Sequence, residues 1–281
     1  MEKFKRDFIL DKNKLIKIYL IGGFGNVLFQ INYGEFLLKR GCKVEFCDFF
    51  LKKNILTNVL KWTIHGTTKD LNNLSFYNEY KFTDYKLMEI FLIILSKLFS
   101  KSIFGVEYCG HSLPSTFKEN KTICGYFMLE VPVSPVLINN LRSKLLEKYS
   151  EINKDTGIVH YRGGDYSNSN DHFPNLDIYY GKALRKLGVK YHVVTNDKQL
   201  AQKVFCNDKN FLGVISSESA LDDFSIMISA NILIQSSSTY SWWAAEISKA
   251  SLVYQPEPFF SHLEWNPISS NNKRVGISYE A

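Results

Sequence analysis

KIYLIGGFGNVLFQINYGEFLLKRGCKVEFC, residues Lys17–Cys47, decides the fold class. Its opening apolar run, Lys17–Gly22, reads as a buried strand that ends in a tight turn at Gly22-Gly23-Phe24-Gly25. From Asn26 to Arg40 the apolar residues Val27, Leu28, Ile31, Phe36, Leu37 and Leu38 give a helix, and Gly41 supplies its C-terminal cap. Lys43–Cys47 is the next strand. Strand, glycine turn, helix, strand opens an α/β unit on a parallel sheet.

Outward from this stretch the pattern thins and then returns. Thr57–Gly110 is mixed and mostly helical, Thr122–Met128 reads as a strand, and Leu137–Tyr149 as a charged amphipathic helix. The short polar segment Ser150–Thr156 marks a domain boundary, giving domains 1–155 and 156–281. In the second domain strands are expected at Gly157–His160, Lys190–Val194, Gly213–Ile215, Ile232–Gln235 and Ser251–Tyr254. Helices are expected at Ile178–Leu187, Asp197–Val204, Asp222–Ala230 and Tyr240–Ser248. Such regular alternation predicts a second Rossmann-like sheet, with ligands at the C-terminal ends of its strands. A chain of 281 residues with 45% hydrophobic content suits two domains of this size.

Composition narrows the partners. Lys and Arg total 34 against 28 Asp and Glu, a net charge of +6 that suits a polyanionic small ligand or an anionic surface. The small clusters Lys12/Lys14/Lys17 and Lys52/Lys53 form no basic arm, so nucleic acid is not an expected partner. The 16 Tyr and 21 Phe serve equally as core filler or as platforms for sugar rings and bases. Cys42, Cys47, Cys109, Cys124 and Cys206 form no CxxC pair and no zinc-like cluster, which predicts reduced, buried thiols and no metal. The N-terminal run MEKFKRDFILDKNKLIKIYLIGG lacks the pattern of a signal peptide, so a cytoplasmic location is expected. Leu87–Phe99, LMEIFLIILSKLF, is too short to span a bilayer and reads as a helix packed on a core, with an apolar face that also suits peripheral attachment at the inner membrane face.

Four constellations carry chemistry. The glycines of GGFGNVLFQ (Gly22–Gln30) let backbone N–H groups approach an anion at a helix N-terminus, or simply make a tight turn. The third glycine of GxGxxG is absent, as is the Gly-Lys-Ser/Thr of a P-loop. In VHYRGGDY (Val159–Tyr166), His160 and Arg162 share one face of a strand end. Arg162 offers a planar, permanently charged fork for a diphosphate, and Asp165 starts the following loop, where it would serve catalysis or pair with Arg162. VVTND (Val193–Asp197) closes a strand on two residues that also make good helix caps. Beyond Asp223, the run Ser236–Ala245, SSSTYSWWAA, clusters hydroxyls at a helix N-terminus, either as a phosphate cradle or as caps.

Taken together, GGFGNVLFQ, GYF (Gly125–Phe127), HYRGGDY, VVTND and SSTYSWWAA resemble, in order and spacing, the bacterial branch of glycosyltransferase family 11, the α-1,2-fucosyltransferases. That resemblance implies a GT-B architecture of two Rossmann-like domains with mainly parallel sheets, the acceptor side N-terminal and the GDP-sugar donor side C-terminal. It implies inverting, metal-independent transfer of fucose from GDP-fucose to a glycan hydroxyl, a galactoside 2-OH, with no cofactor. The acceptor it suggests is a glycan such as a lipid-linked oligosaccharide in surface polysaccharide or O-antigen assembly. Residue by residue it implies Arg162 and Asp165 in catalysis, and Gly25, Asn26, His160, Arg162, Asn196, Asp197, Asp223, Ser238 and Thr239 in GDP-fucose binding. The family's second arginine is Gly163 here, so a charge is missing that Arg185 or Lys198 would have to replace. That departure keeps open a noncatalytic nucleotide-sugar or glycan binder, or a different nucleotide-sugar donor.

Overall fold

The computed structural model describes residues 13–52, 67–111, 113–114, 121–128, 131–146, 156–163, 176–215, 217–260, 269 and 273–279. The chain forms two compact units, Met1–Leu137 and Ile138–Ala281. The units meet within the helix Pro135–Leu146. Within the second unit the Arg142 guanidinium of that helix donates twice to the Ile247 carbonyl, at 2.8 and 2.6 Å.

Unit 1 runs β1 (Leu15–Tyr19), α1 (Phe24–Lys39), β2 (Lys43–Cys47), a 3-10 turn (Phe49–Leu51), α2 (Thr67–Asn73), α3 (Phe76–Glu79), α4 (Leu87–Phe99), β3 (Val106–Gly110) and β4 (Lys121–Gly125). Its strands pair in parallel in the order β2-β1-β4-β3. Central β1 is fully buried at Ile16, Ile18 and Tyr19, as expected of a strand covered on both faces. Gly22 adopts φ +81°, and a Cβ there would meet Asn26 Nδ2 at 2.7 Å, so the turn requires glycine. Gln30 is buried and clamps that turn: its Oε1 accepts from the Ile21 N–H at 2.9 Å and its Nε2 donates to the Ile21 carbonyl at 2.8 Å. At Gly41, φ +86° places the glycine one residue past the cap of α1, as the sequence predicted. The expected strand Thr122–Met128 stops at Gly125; Phe127 has φ +48° and has left the extended region.

The helix α5 (Pro135–Leu146) leads into unit 2, which runs β5 (Gly157–Tyr161), α6 (Leu176–Leu187), β6 (Tyr191–Thr195), α7 (Lys198–Phe205), β7 (Phe211–Val214), α8 (Ala220–Ser229), β8 (Ile232–Ile234), α9 (Thr239–Ile247), β9 (Leu252–Glu257) and β10 (Arg274–Ser278). All pairings are parallel, in the order β10-β9-β8-β5-β6-β7. The chain winds outward from β5 through β6 to β7, then returns to the other side of β5 to lay down β8, β9 and β10. This is the doubly wound order with its reversal between β5 and β8, and ligands of such sheets sit in the crevice at the C-terminal ends of those two strands. The core under the crevice is rich in rings: Tyr179, Tyr180, Tyr191 and Phe205 pack with Val159 and Val193. Trp242 and Trp243, adjacent on α9, are both buried.

Candidate functional site

Unit 2 brings three separate motifs to one strand edge. At the tip of β5, His160 is buried, with Nδ1 2.8 Å from Ser236 Oγ. The Tyr180 hydroxyl donates to the His160 carbonyl at 2.8 Å and fixes the strand end from below. Burial, with the positive charge of Arg162 adding to it, lowers the imidazole pKa to about 3. His160 is therefore neutral near pH 7, a positioning and hydrogen-bonding group and not a proton carrier. Arg162 follows the strand and is half-buried.

The serine turn after β8 faces this tip. Ser238 is the N-cap of α9 and accepts from the Ser241 N–H at 3.2 Å. Its Oγ also lies 3.0 Å from Ser236 Oγ, and Ser241 Oγ donates to the Ser236 carbonyl at 2.7 Å. The Ser237 hydroxyl donates to the Phe259 carbonyl. All four serines are buried, so their hydroxyls shape the turn from within. Half-buried Thr239 opens α9 at the positive end of the helix dipole.

At the tip of β6, Asn196 Oδ1 accepts the Gly163 N–H at 3.0 Å, which ties the third motif to the second. Asp197 is the N-cap of α7, its Oδ1 accepting from the Leu200 N–H at 3.0 Å, so capping explains that carboxylate. A Cβ at Gly163 would stand 2.8 Å from Asp197 Cβ and 3.3 Å from Leu200 Cδ2. A side chain there would press on the start of α7.

Asp223 lies in the first turn of α8, which is capped by Ser219. Its carboxyl is pushed up to about 6 by burial, against a hydrogen bond with Ser217 and the charge of Lys198. Among the described residues Asp223 Oδ1 is buried without a hydrogen-bond partner. Lys198, the first residue of α7, thus adds a cation near the tips. Arg185 sits in the last turn of α6, the turn that feeds the start of β6, and so belongs to the opposite edge of the sheet. Tyr240 links the pieces: its ring centroid is 5.7 Å from that of His160 and 5.0 Å from that of Phe224, and its hydroxyl donates to the Ala220 carbonyl.

The predicted residues His160, Arg162, Asn196, Asp197, Ser238 and Thr239 therefore cluster at the tips of β5, β6 and β8, and the Tyr240 and Lys198 contacts place Asp223 beside them. Asp165 lies outside the described residues. Gly25 and Asn26 belong to unit 1, where both lie in the first turn of α1. Sequence reading passed over the linking part of Tyr240, although the residue stands inside the quoted SSTYSWW run.

No family model matches the sequence. The chain is 25% identical over 287 aligned positions to the O-antigen biosynthesis glycosyltransferase WbnK of Escherichia coli, a match covering 86% of this chain and 94% of that protein. Among solved structures it is similar to the E. coli heptosyltransferase WaaC with ADP, at TM-score 0.50 and 8% identity over 94% of this chain and 93% of that one. The fucosyltransferase NodZ from Bradyrhizobium is more distant, at TM-score 0.44 and 14% identity over 86% and 95% of the two chains. With its two parallel sheets, the chain has the α/β, GT-B type of fold.

Proposed function

We propose that the chain is an inverting glycosyltransferase that moves fucose from GDP-fucose to a glycan hydroxyl, a galactoside 2-OH, in the assembly of a surface polysaccharide. The observation that carries this reading is the meeting of the β5 tip with the serine turn: His160 touches Ser236 at the reversal point of a doubly wound sheet, beside a half-buried arginine and a helix N-terminus. The similarity to a glycosyltransferase along nearly the whole of both chains supports the reaction class. The resemblance of the five motifs to the α-1,2-fucosyltransferases supports the donor, the linkage and a metal-independent reaction.

In this reading unit 2 holds the donor and unit 1 serves the acceptor. Asp223 and His160 lie against the guanosine, with Asn196 and Asp197 nearby; Ser238 and Thr239 present the first amides of α9 to the phosphates. The acceptor hydroxyl attacks the anomeric carbon from the face opposite the nucleotide; the glycosidic bond to the diphosphate breaks as the new bond forms, inverting the centre. Negative charge builds on the departing diphosphate, where Arg162 and the helix N-terminus stabilise the transition state more than the ground state. Asp165 orients Arg162 or takes the acceptor proton. The acceptor is a lipid-linked oligosaccharide, met at the inner face of a membrane.

Replacing Arg162 by Ala should abolish transfer, a loss of at least about a hundredfold in kcat for a transition-state cation, with an unchanged circular dichroism spectrum. Near-normal turnover in that variant would discard the mechanism. A panel of GDP-, UDP- and ADP-sugars separates fucose transfer from the same reaction on another donor.

A further inference from the structure

We propose that the outer face of α4 and the loop after it form a docking surface for an anionic lipid bilayer. The helix is apolar nearly all round, and the sheet covers only one side of it. Ile90 and Ile93 pack inward in a cluster with Tyr19, Phe50 and Val106. Leu87, Met88, Phe91, Leu98 and Phe99 point to solvent, with Leu87 76% and Leu98 71% exposed. Leu87, Phe91 and Leu98 are spaced by four and seven residues, so they form one stripe along the helix. The stripe continues onto Phe104, which is 92% exposed and has φ +47°. A bulky residue in the left-handed region is uncommon, and here it holds an aromatic ring out into water. Phe99, Lys101, Ser102, Ile103 and Phe104 line an open cavity of about 450 Å³ at this end.

Charge selects the occupant. Lys86, Lys97 and Lys101 are exposed at the two ends of the stripe. Within α4 the acidic residue Glu89 faces inward, accepting from Lys17 Nζ at 2.8 Å and from the Tyr19 hydroxyl at 2.6 Å, while exposed Asp84 stands beside Lys86 just before the helix. The outer face is thus apolar in the middle and positive at the end that carries Lys97 and Lys101. Anionic head groups would neutralise Lys97 and Lys101 while the rings and leucines enter the acyl boundary. No helix among the described residues is long and apolar enough to cross a membrane, so α4 would lie in the interface plane. The surface rests on unit 1 alone and stands whether or not unit 2 transfers a sugar; if it does, the bilayer is where a lipid-linked acceptor is met.

The test is flotation of the full chain with vesicles of equal parts phosphatidylglycerol and phosphatidylcholine, and with phosphatidylcholine alone. The wild type should float with the anionic vesicles and release them as salt rises. Phe91→Ser with Phe104→Ser should weaken flotation, and Lys86→Gln, Lys97→Gln and Lys101→Gln should weaken it about fivefold per charge removed. Both sets should keep wild-type thermal melts and nucleotide release, since these side chains are exposed and outside the proposed donor site. Equal behaviour on the two vesicle types, or no effect of either set, overturns the proposal. So does a concentration-dependent dimer in sedimentation that the Phe91/Phe104 variant abolishes while flotation is unchanged. Loss of flotation with intact nucleotide release would leave the transferase reading standing.

Discussion

Position 163 carries both a missing charge and a packing constraint. Glycine in place of a second arginine suggests a weakened or altered site. In the fold it is a packing requirement, because Asp197 Cβ lies 2.8 Å from where a Cβ would sit. Gly163→Ala should therefore destabilise the protein by roughly 1–3 kcal/mol in urea melts, the usual range for overpacking, and Gly163→Arg should not raise activity. Asp223 gives a test with two opposite signs. Its folded pKa, about 6, is above the ordinary carboxylate value of roughly 3.9, so the fold favours the protonated form. That contribution is fully present below pH ~4 and is lost as pH rises through ~6. Asp223→Asn should raise stability at pH 7, leave it nearly unchanged at pH 3.5, and weaken GDP binding. The buried carboxyl of Asp70 shifts the same way, so comparing variant with wild type isolates Asp223. His160 has the reverse sign: with a folded pKa of about 3, stability falls as pH drops below ~6.5, and the rate profile should show no limb from this imidazole near neutrality.

Helix starts carry the site. Ser238 caps α9 and Asp197 caps α7, each side chain accepting from the N–H three residues on. Ser238→Ala should cost about 1 kcal/mol from the cap alone, and more from the loss of its contacts with Ser236 and Ser241; a thermal melt reads the effect. Much of this level was legible. The strand Lys43–Cys47 and the helix Leu87–Phe99 fall where their apolar patterns put them, and the three strand-tip motifs of unit 2 stand at strand ends. Whether the serines bind or cap was not legible, because the same residue types serve both ends; the structure shows Ser238 as the cap, through its bond from the Ser241 N–H. β3 and β10 were missed for a physical reason: both are sheet edges, and in β10 only Ile277 is buried, so neither has the apolar run of a central strand. Cys206 is exposed, contrary to the expectation of buried thiols, because it caps α7 and follows the last turn that faces the core. In α4 the apolar run reads as core, yet the sheet has room for one side of the helix only.

For the whole molecule, composition predicted two domains and the fold has two units, but no local pattern reveals that α5 is fastened to the second through Arg142. If unit 2 holds the nucleotide, GDP added to the intact chain should slow amide exchange at 157–163 and 232–242 and leave β1 and β2 unchanged. At a hundred times its dissociation constant it should stabilise the fold by about 2.7 kcal/mol. The most direct measurement is release of free nucleotide from GDP-fucose by the wild type and by Arg162→Ala, in buffer containing EDTA, with UDP-sugars as controls. The proposed mechanism predicts GDP release by the wild type with chelator present, none from UDP-sugars, and at least a hundredfold less from the variant. Equal release by the two proteins, or no release by the wild type until a divalent metal is restored, would contradict it.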